Sequence, residues 1–417
     1  MKIKRDIYLN KLIRKRHNGL IKVITGIRRC GKTYLLFNLF YQYLLDNGVK
    51  EDHIIKVSFD NYKYIELRNP KSMYEYVEKQ IVDKDYYYII LDEVQNLDSF
   101  VDVLNGFIHI DNADVYVTGS NSKFLSRDVI TEFRGRGDEI HVLPLSFSEF
   151  TSAYKNNISE AWDDYINYGG LPLVLSFELS EEKEEYLFSL FKELYFTDIM
   201  ERHNIRNIEE FNEILDFLSS SVGSLTNSSK LVKTFKSVKN KTISDLTITK
   251  YMDYMQDAFL INKVSRYDIK GKKYIGSPVK YYFEDIGLRN ARINFRQTEE
   301  NHIMENIIYN ELRYRGYRVD VGVVEVYGRD TQSKKTTKTT YEVDFVASKG
   351  NQKFYIQSAF AIPTPEKKEQ EEKSLNNIHD SFTKIIVVKD DKKPRRDENG
   401  IITIGIKQFL LDQTILN

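Results

Sequence analysis

The stretch Thr25-Gly26-Ile27-Arg28-Arg29-Cys30-Gly31-Lys32-Thr33 limits what this chain can fold into more than any other. It lies between an apolar run of strand length at 20–24 and a helical stretch at 34–45 that lacks Gly and Pro. It fits G-x-x-x-x-G-K-[ST] at each defined position, a spacing that calls for a strand, a tight loop and a helix in register. Gly26 and Gly31 let the backbone curl, so that successive N–H groups and a helix N-terminus face one point. Such a loop predicts a nucleoside triphosphate site, with Gly26, Ile27, Arg28, Arg29, Cys30, Gly31, Lys32, Thr33 and Tyr34 around the ligand. Lys32 would reach the β- and γ-phosphates, and the Thr33 hydroxyl would hold Mg²⁺.

A second buried-strand run at 86–91 ends in Asp92-Glu93. A carboxylate at the C-terminal tip of a neighbouring strand can hold the metal's water shell, the role expected of Asp92. Glu93 is then placed to polarise the attacking water. Two acids at a strand end are by themselves also an ordinary solvated tip; the intact loop upstream favours hydrolysis over mere binding.

At 417 residues the chain has room for two or three domains, and 41% hydrophobic content supports real cores. Lys plus Arg equals Asp plus Glu at 61 each, so partners can be read only from local patches. The single cysteine, Cys30, excludes an intrachain disulfide and fits a reducing compartment. The histidines show no close pairing with each other or with Cys30, which argues against zinc. No run of about 18 apolar residues occurs, and the expectation is a cytoplasmic chain with no membrane segment.

Further strand runs at 54–59, 114–118 and 139–143 alternate with helical segments, which predicts an α/β domain with a parallel sheet. Ser120 and Asn121, after the 114–118 strand, are equally sensor candidates for the γ-phosphate and plain turn residues. The loop, Leu91-Asp92-Glu93-Val94-Gln95, Thr118-Gly119-Ser120-Asn121 and Leu143-Pro144-Leu145-Ser146-Phe147 together resemble the bacterial and archaeal AAA+ ATPases that precede a domain of unknown function. The resemblance extends through Tyr168-Gly169-Gly170-Leu171-Pro172, the Asp198-Ile199 region and Lys280-Tyr281-Tyr282-Phe283-Glu284-Asp285, and so covers most of the chain. It implies ATP and Mg²⁺ as cofactors, a homo-oligomer, and a helical lid in which Pro172 lies on the adenine side. It also implies an arginine acting on a neighbour's nucleotide. Arg136 is the first choice, with Arg134 in reserve, and a solvated arginine is the plain alternative.

Helical patterns at 211–222, 228–235 and 244–259, then a ribbon pairing 260–267 with 280–283, follow a winged-helix order. Six lysines and one acid, Asp245, lie between 230 and 250. That excess suits contact with duplex or branched DNA by shape rather than sequence, and equally a solvated face. The α-β-β-β-α-β order after 300 resembles the PD-(D/E)XK nucleases. Glu305 and Asp344 match their metal ligands, but Gln357-Ser358-Ala359 stands where E-x-K is expected. The missing lysine leaves Lys367, Lys368 or Lys373 as substitutes and puts cleavage in doubt. Residues 326–340 read as a mobile basic hairpin insert able to touch a phosphate backbone, and equally as a solvated loop.

The expected order is a P-loop ATPase core at 1–155, a helical lid at 156–205, a winged-helix-like domain at 206–295 and a restriction-endonuclease-like domain at 296–417. The expected function is an ATP-hydrolysing, oligomeric DNA-binding or DNA-remodelling motor. Two rivals stay open: a signalling switch of the STAND type acting on a protein partner, and an ATP-regulated metal-dependent nuclease.

Overall fold

The computed structural model describes residues 3–119, 133, 135–239, 242–296, 299–329 and 336–416. Five short strands, β1 (Ile21–Thr25), β2 (Ile54–Ser58), β3 (Tyr87–Asp92), β4 (Ala113–Thr118) and β5 (Gly137–His141), form a parallel sheet in the order β2-β3-β4-β1-β5. Alternate residues along β1 to β4 feed two different cores. Val23, Val57, Ile89 and Val117 face one, while Ile24, Ile54, Ile90 and Tyr116 face the other. Burial on both faces is why these strands read as continuous hydrophobic runs rather than alternating ones. The strand order puts β4 between β1 and β3, so the tip of β4 separates the phosphate loop from the acidic pair.

A single helical rod follows the loop as Lys32–Tyr34, Leu35–Phe40 and Tyr41–Asp46, and its middle part is π-helical. After β5 come the helices Phe147–Ala153, Ile158–Tyr168, Ser180–Leu190 and Thr197–His203. The first begins with a capping box, Ser146 against Glu149, which satisfies two otherwise orphaned N–H groups. Three more helices, Ile208–Ser220, Ser228–Lys239 and Asp245–Asp257, precede the ribbon β6 (Ile261–Asp268) and β7 (Lys273–Phe283), which pair antiparallel.

That ribbon does not stand apart as a wing. β6 pairs parallel with β8 (Arg318–Arg329), which continues through β9 (Thr336–Lys349), β10 (Gln352–Ala359), β11 (Thr383–Val388), β12 (Arg395–Arg396) and β13 (Ile402–Gly405). The result is one eight-stranded sheet in the order β12-β13-β11-β10-β9-β8-β6-β7. It crosses the boundary drawn at 295/296, and the reason is register: Arg266, Tyr267 and Asp268 pair with Val321, Gly322 and Val323. The helix Glu300–Tyr314 packs against this sheet. The basic insert takes the form of paired extensions of β8 and β9 that reach Arg329 and Thr336, and residues 330–335 lie outside the described residues. Among the described residues no helix is long and apolar enough to cross a membrane.

Candidate active site

The loop between β1 and its helix is shaped by two glycines with positive φ. At Gly26 (φ 138°) a Cβ would sit 2.2 Å from the Val142 carbonyl oxygen; at Gly31 the φ is 100°. Only glycine fits the first position. Lys32 is buried and its Nζ donates to the carbonyls of Gly26 and Ile27, both at 2.9 Å. Those bonds hold the ammonium over the loop, as a group waiting for phosphate oxygens would be held. Cys30 packs inward against the Val142 carbonyl at 3.3 Å, and burial pushes its thiol above the ordinary range. It is filler, as a variable loop position allows.

The Thr33 hydroxyl lies 3.0 Å from Asp92 Oδ2, which joins the loop to the tip of β3. Thr118 at the tip of β4 donates to Asp92 Oδ1, and the Ser58 hydroxyl at the tip of β2 lies 3.3 Å from Oδ2. Three strands and the loop helix therefore converge on one carboxylate. Burial raises the Asp92 carboxyl above its ordinary value, and the Thr118 hydroxyl and Thr33 oppose that shift. A nearby cation would favour the charged form further.

Glu93 follows with φ 52°, a left-handed conformation uncommon for a residue with a side chain. Its carboxylate accepts from Gln95 Nε2. Strain of this kind gathers at functional positions, where the surrounding fold holds it in place. Arg28, Arg29, Lys32, Thr33, Ser58, Asp60, Asp92, Glu93, Gln95 and Asn96 line one polar cleft of about 670 Å³.

On the other side of the loop is a more apolar hollow of about 300 Å³, lined by Ile3, Arg5, Tyr34, Leu145, Pro172 and Leu173. Tyr34 and Pro172 meet there although they lie far apart in sequence. Pro172 is placed by the double glycine before it. A Cβ at Gly169 would stand 2.5 Å from Asp285 Oδ1, and one at Gly170 would stand 2.4 Å from the Leu145 carbonyl oxygen. The Asp285 carboxylate accepts from the Gly170 N–H at 2.8 Å and the Leu288 N–H at 3.0 Å. Burial lifts its carboxyl to about 6 in spite of those bonds.

A model described as an AAA domain matches residues 18–151, and one described as a domain of unknown function, DUF8612, matches residues 159–299. An uncharacterized protein of Haemophilus influenzae is 33% identical over 419 residues, covering 98% of each chain. This chain belongs to that family. An uncharacterized protein of Methanocaldococcus jannaschii is 28% identical over 431 residues, covering 98% of this chain and 89% of that protein. Among solved structures, the Aeropyrum pernix ORC2 protein, described in ADPNP–ADP complexes, is similar at a TM-score of 0.35 and 14% identity, covering 74% of this chain and 92% of that one. A Thermotoga maritima protein related to the DNA polymerase III gamma subunit gives 0.29 and 12%, covering 60% and 90%.

The cleft therefore belongs to the AAA domain. Its residues fit Mg²⁺ and a triphosphate: two glycines open the loop, a lysine and a threonine face the cleft, and a buried carboxylate stands opposite. Arg136 is elsewhere. Its carbonyl accepts from Ile21 N–H at the start of β1, and its exposed guanidinium donates to Asn105 at 3.4 Å. The loop leaves the other end of β1, about 13 Å away at 3.3 Å per residue, so Arg136 lies at the opposite end of β1 from its own cleft. Asn121, Ser120 and Arg134 lie outside the described residues.

Glu305 and Asp344 do come together, but around a residue the sequence did not single out. Lys280 on β7 places its Nζ 2.8 Å from Glu305, 2.9 Å from Glu342 and 3.2 Å from Asp344. Gln357 accepts the Asp344 backbone N–H at 3.4 Å, and the Ser358 N–H donates to the Asp344 carboxylate at 2.9 Å. The substitutes Lys367, Lys368 and Lys373 are occupied elsewhere: the first two pair with Glu371 and Glu372 on their own helix, and the third lies over the Tyr341 ring. An ammonium thus stands within 3.2 Å of all three carboxylates. The hint was Lys280 itself, a lysine inside the buried run Val279–Phe283, which requires a buried acid as partner.

A separate group, His53 with Asp83 and Asp85, sits at the start of β2, away from the cleft. His53 is already paired with Asp52 at 2.7 Å and Asp83 at 3.1 Å, and those acids raise it above its ordinary value.

Proposed function

We propose that the AAA domain hydrolyses ATP with Mg²⁺, and that a homo-oligomer uses the cycle to bind or remodel duplex or branched DNA. The observation that carries the ATPase reading is the meeting of Lys32, Thr33, Asp92 and Glu93 on one cleft, with Thr33 and Asp92 3.0 Å apart. Lys32 and the loop N–H groups would hold the phosphates, and Thr33 and Asp92 the Mg²⁺, which draws charge from the phosphoryl oxygens when bound. Glu93 takes the proton of the attacking water. The apolar hollow beside Tyr34 and Pro172 suits a planar base.

Arg136 is the candidate trans residue, and its position at the far end of β1 supports action on a neighbour rather than on its own nucleotide. Arg136→Ala and Lys32→Ala should each fall to about a thousandth of wild-type turnover. Mixing the two should restore measurable activity, because some interfaces then carry both intact residues. No recovery in the mixture, with assembly verified, would refute the assignment.

The DNA reading is supported by Lys230, Lys233 and Lys236, all exposed and at three-residue spacing on helix Ser228–Lys239. The basic face thus sits mainly on the second helix of the middle segment, not on the third that the winged-helix order would send into a groove. If these lysines contact phosphates, log K against log salt should have a slope near –3, at about –0.9 per contact. Replacing all three by Ala should flatten it, and DNA should raise wild-type ATP turnover. Turnover and assembly that ignore DNA at low salt would instead favour a nucleotide switch acting on a protein.

A further inference from the structure

One arginine of the phosphate loop is held from outside the loop. Arg28 Nη2 lies 2.6 Å from Asp198 Oδ2, and Asp198 is on the helix Thr197–His203. Arg28 also lines the polar cleft with Lys32, Thr33, Asp92 and Glu93. A single guanidinium therefore stands between the place for a triphosphate and a carboxylate on another helix. The pair is partly open, 23% and 28% exposed, so solvent does not prevent the arginine from leaving. Burial raises the Asp198 carboxyl, and Arg28 opposes that shift.

We propose that Arg28 is a partner-exchanging residue: when a nucleoside triphosphate fills the cleft it turns from Asp198 to the terminal phosphate, and the helix Thr197–His203 loses its tie to the loop. This rests on the ATPase reading above. A guanidinium pairs well with either oxyanion, and the more highly charged phosphate is the stronger partner. A diphosphate leaves nothing at the terminal position, and Arg28 then stays on Asp198. The ion pair is a two-state element that both the nucleotide and the helix bias. Breaking it costs triphosphate binding some affinity, and that cost disappears when Asp198 is neutral.

The test is equilibrium binding of ATPγS and of ADP, each with Mg²⁺, to the full chain, together with amide exchange over 197–203. Arg28→Ala should weaken ATPγS by about tenfold or more and ADP by less than about threefold. Asp198→Asn should tighten ATPγS by roughly three- to tenfold and leave ADP unchanged. In the wild type, exchange over 197–203 should be faster with ATPγS than with ADP; in Asp198→Asn it should be fast with both. A purely structural tie predicts that Asp198→Asn shifts both nucleotides alike, or neither, and that result overturns the exchange. A wild type that binds neither nucleotide overturns the ATPase reading itself, and the exchange with it.

Discussion

Glu93→Gln is expected to bind ATP about as well as the wild type and to hydrolyse it roughly 10²–10⁴-fold more slowly, the usual worth of a positioned general base. The amide keeps the size and much of the hydrogen bonding of the carboxylate, including a partner for Gln95, but cannot take a proton. Glu93 holds a left-handed backbone just beyond β3, and its neighbour Asp92 is tied to Thr33, Thr118 and Ser58. The substitution should therefore leave the cleft in place. Lys32→Ala should behave differently, losing affinity as well as rate, because its ammonium is the cation aimed at the phosphates. Phosphate release in a single turnover, measured beside nucleotide binding, separates the two. A Glu93→Gln chain that still hydrolyses within about threefold of wild type would remove Glu93 from the role of base.

Lys280→Met should be the most destabilising substitution on the C-terminal side, at about 3–5 kcal/mol, because it strands buried carboxylates without their cation. The loss should depend on pH, and its sign follows from Glu305. Burial raises that carboxyl to about 7, above its ordinary 4.5, with Lys280 opposing the shift. A raised acid contributes stability that is fully present below its unfolded value and is lost as pH rises through the folded one. The wild type should therefore lose some stability between about pH 4.5 and 7. Lys280→Met, lacking the opposing ammonium, should lose more, so its deficit is larger at pH 8 than at pH 5. Glu305→Gln, which can still accept from Tyr282 and Lys280, should flatten the slope. Thermal unfolding of the three chains across that range decides it. A Lys280→Met deficit that is the same at both ends would mean that Glu305 is not the titrating group.

Several features were legible because they depend on neighbours in sequence. The loop spacing, the apolar runs of β1 to β4 and the acids at the tip of β3 are local patterns. The helices Ile208–Ser220, Ser228–Lys239 and Asp245–Asp257 fall where the periodicity put them, with ends shifted by a few residues. The pairing of β6 with β7 likewise follows from local signals, the run at 260–267 against the one at 280–283.

Other features depend on which strands lie side by side, and no local pattern encodes that. Thr118 meets Asp92 only because β4 is inserted between β1 and β3. Arg28 finds Asp198 only after the helices beyond the sheet have folded back over the loop. Lys280 reaches three acids because the ribbon adds itself to the edge of the C-terminal sheet, which a separate wing would not do.

What the residue order alone determined was the chemistry of the phosphate loop, since backbone curvature and the positions of Lys32 and Thr33 follow from glycine spacing within one turn. What only the folded chain decided was the company those groups keep: the hydroxyls around Asp92, the acid that holds Arg28, and the ammonium among Glu305, Glu342 and Asp344. Contacts between distant segments are set by strand order and register, which arise when apolar faces are buried together, and burial is a property of the whole chain rather than of any stretch of it.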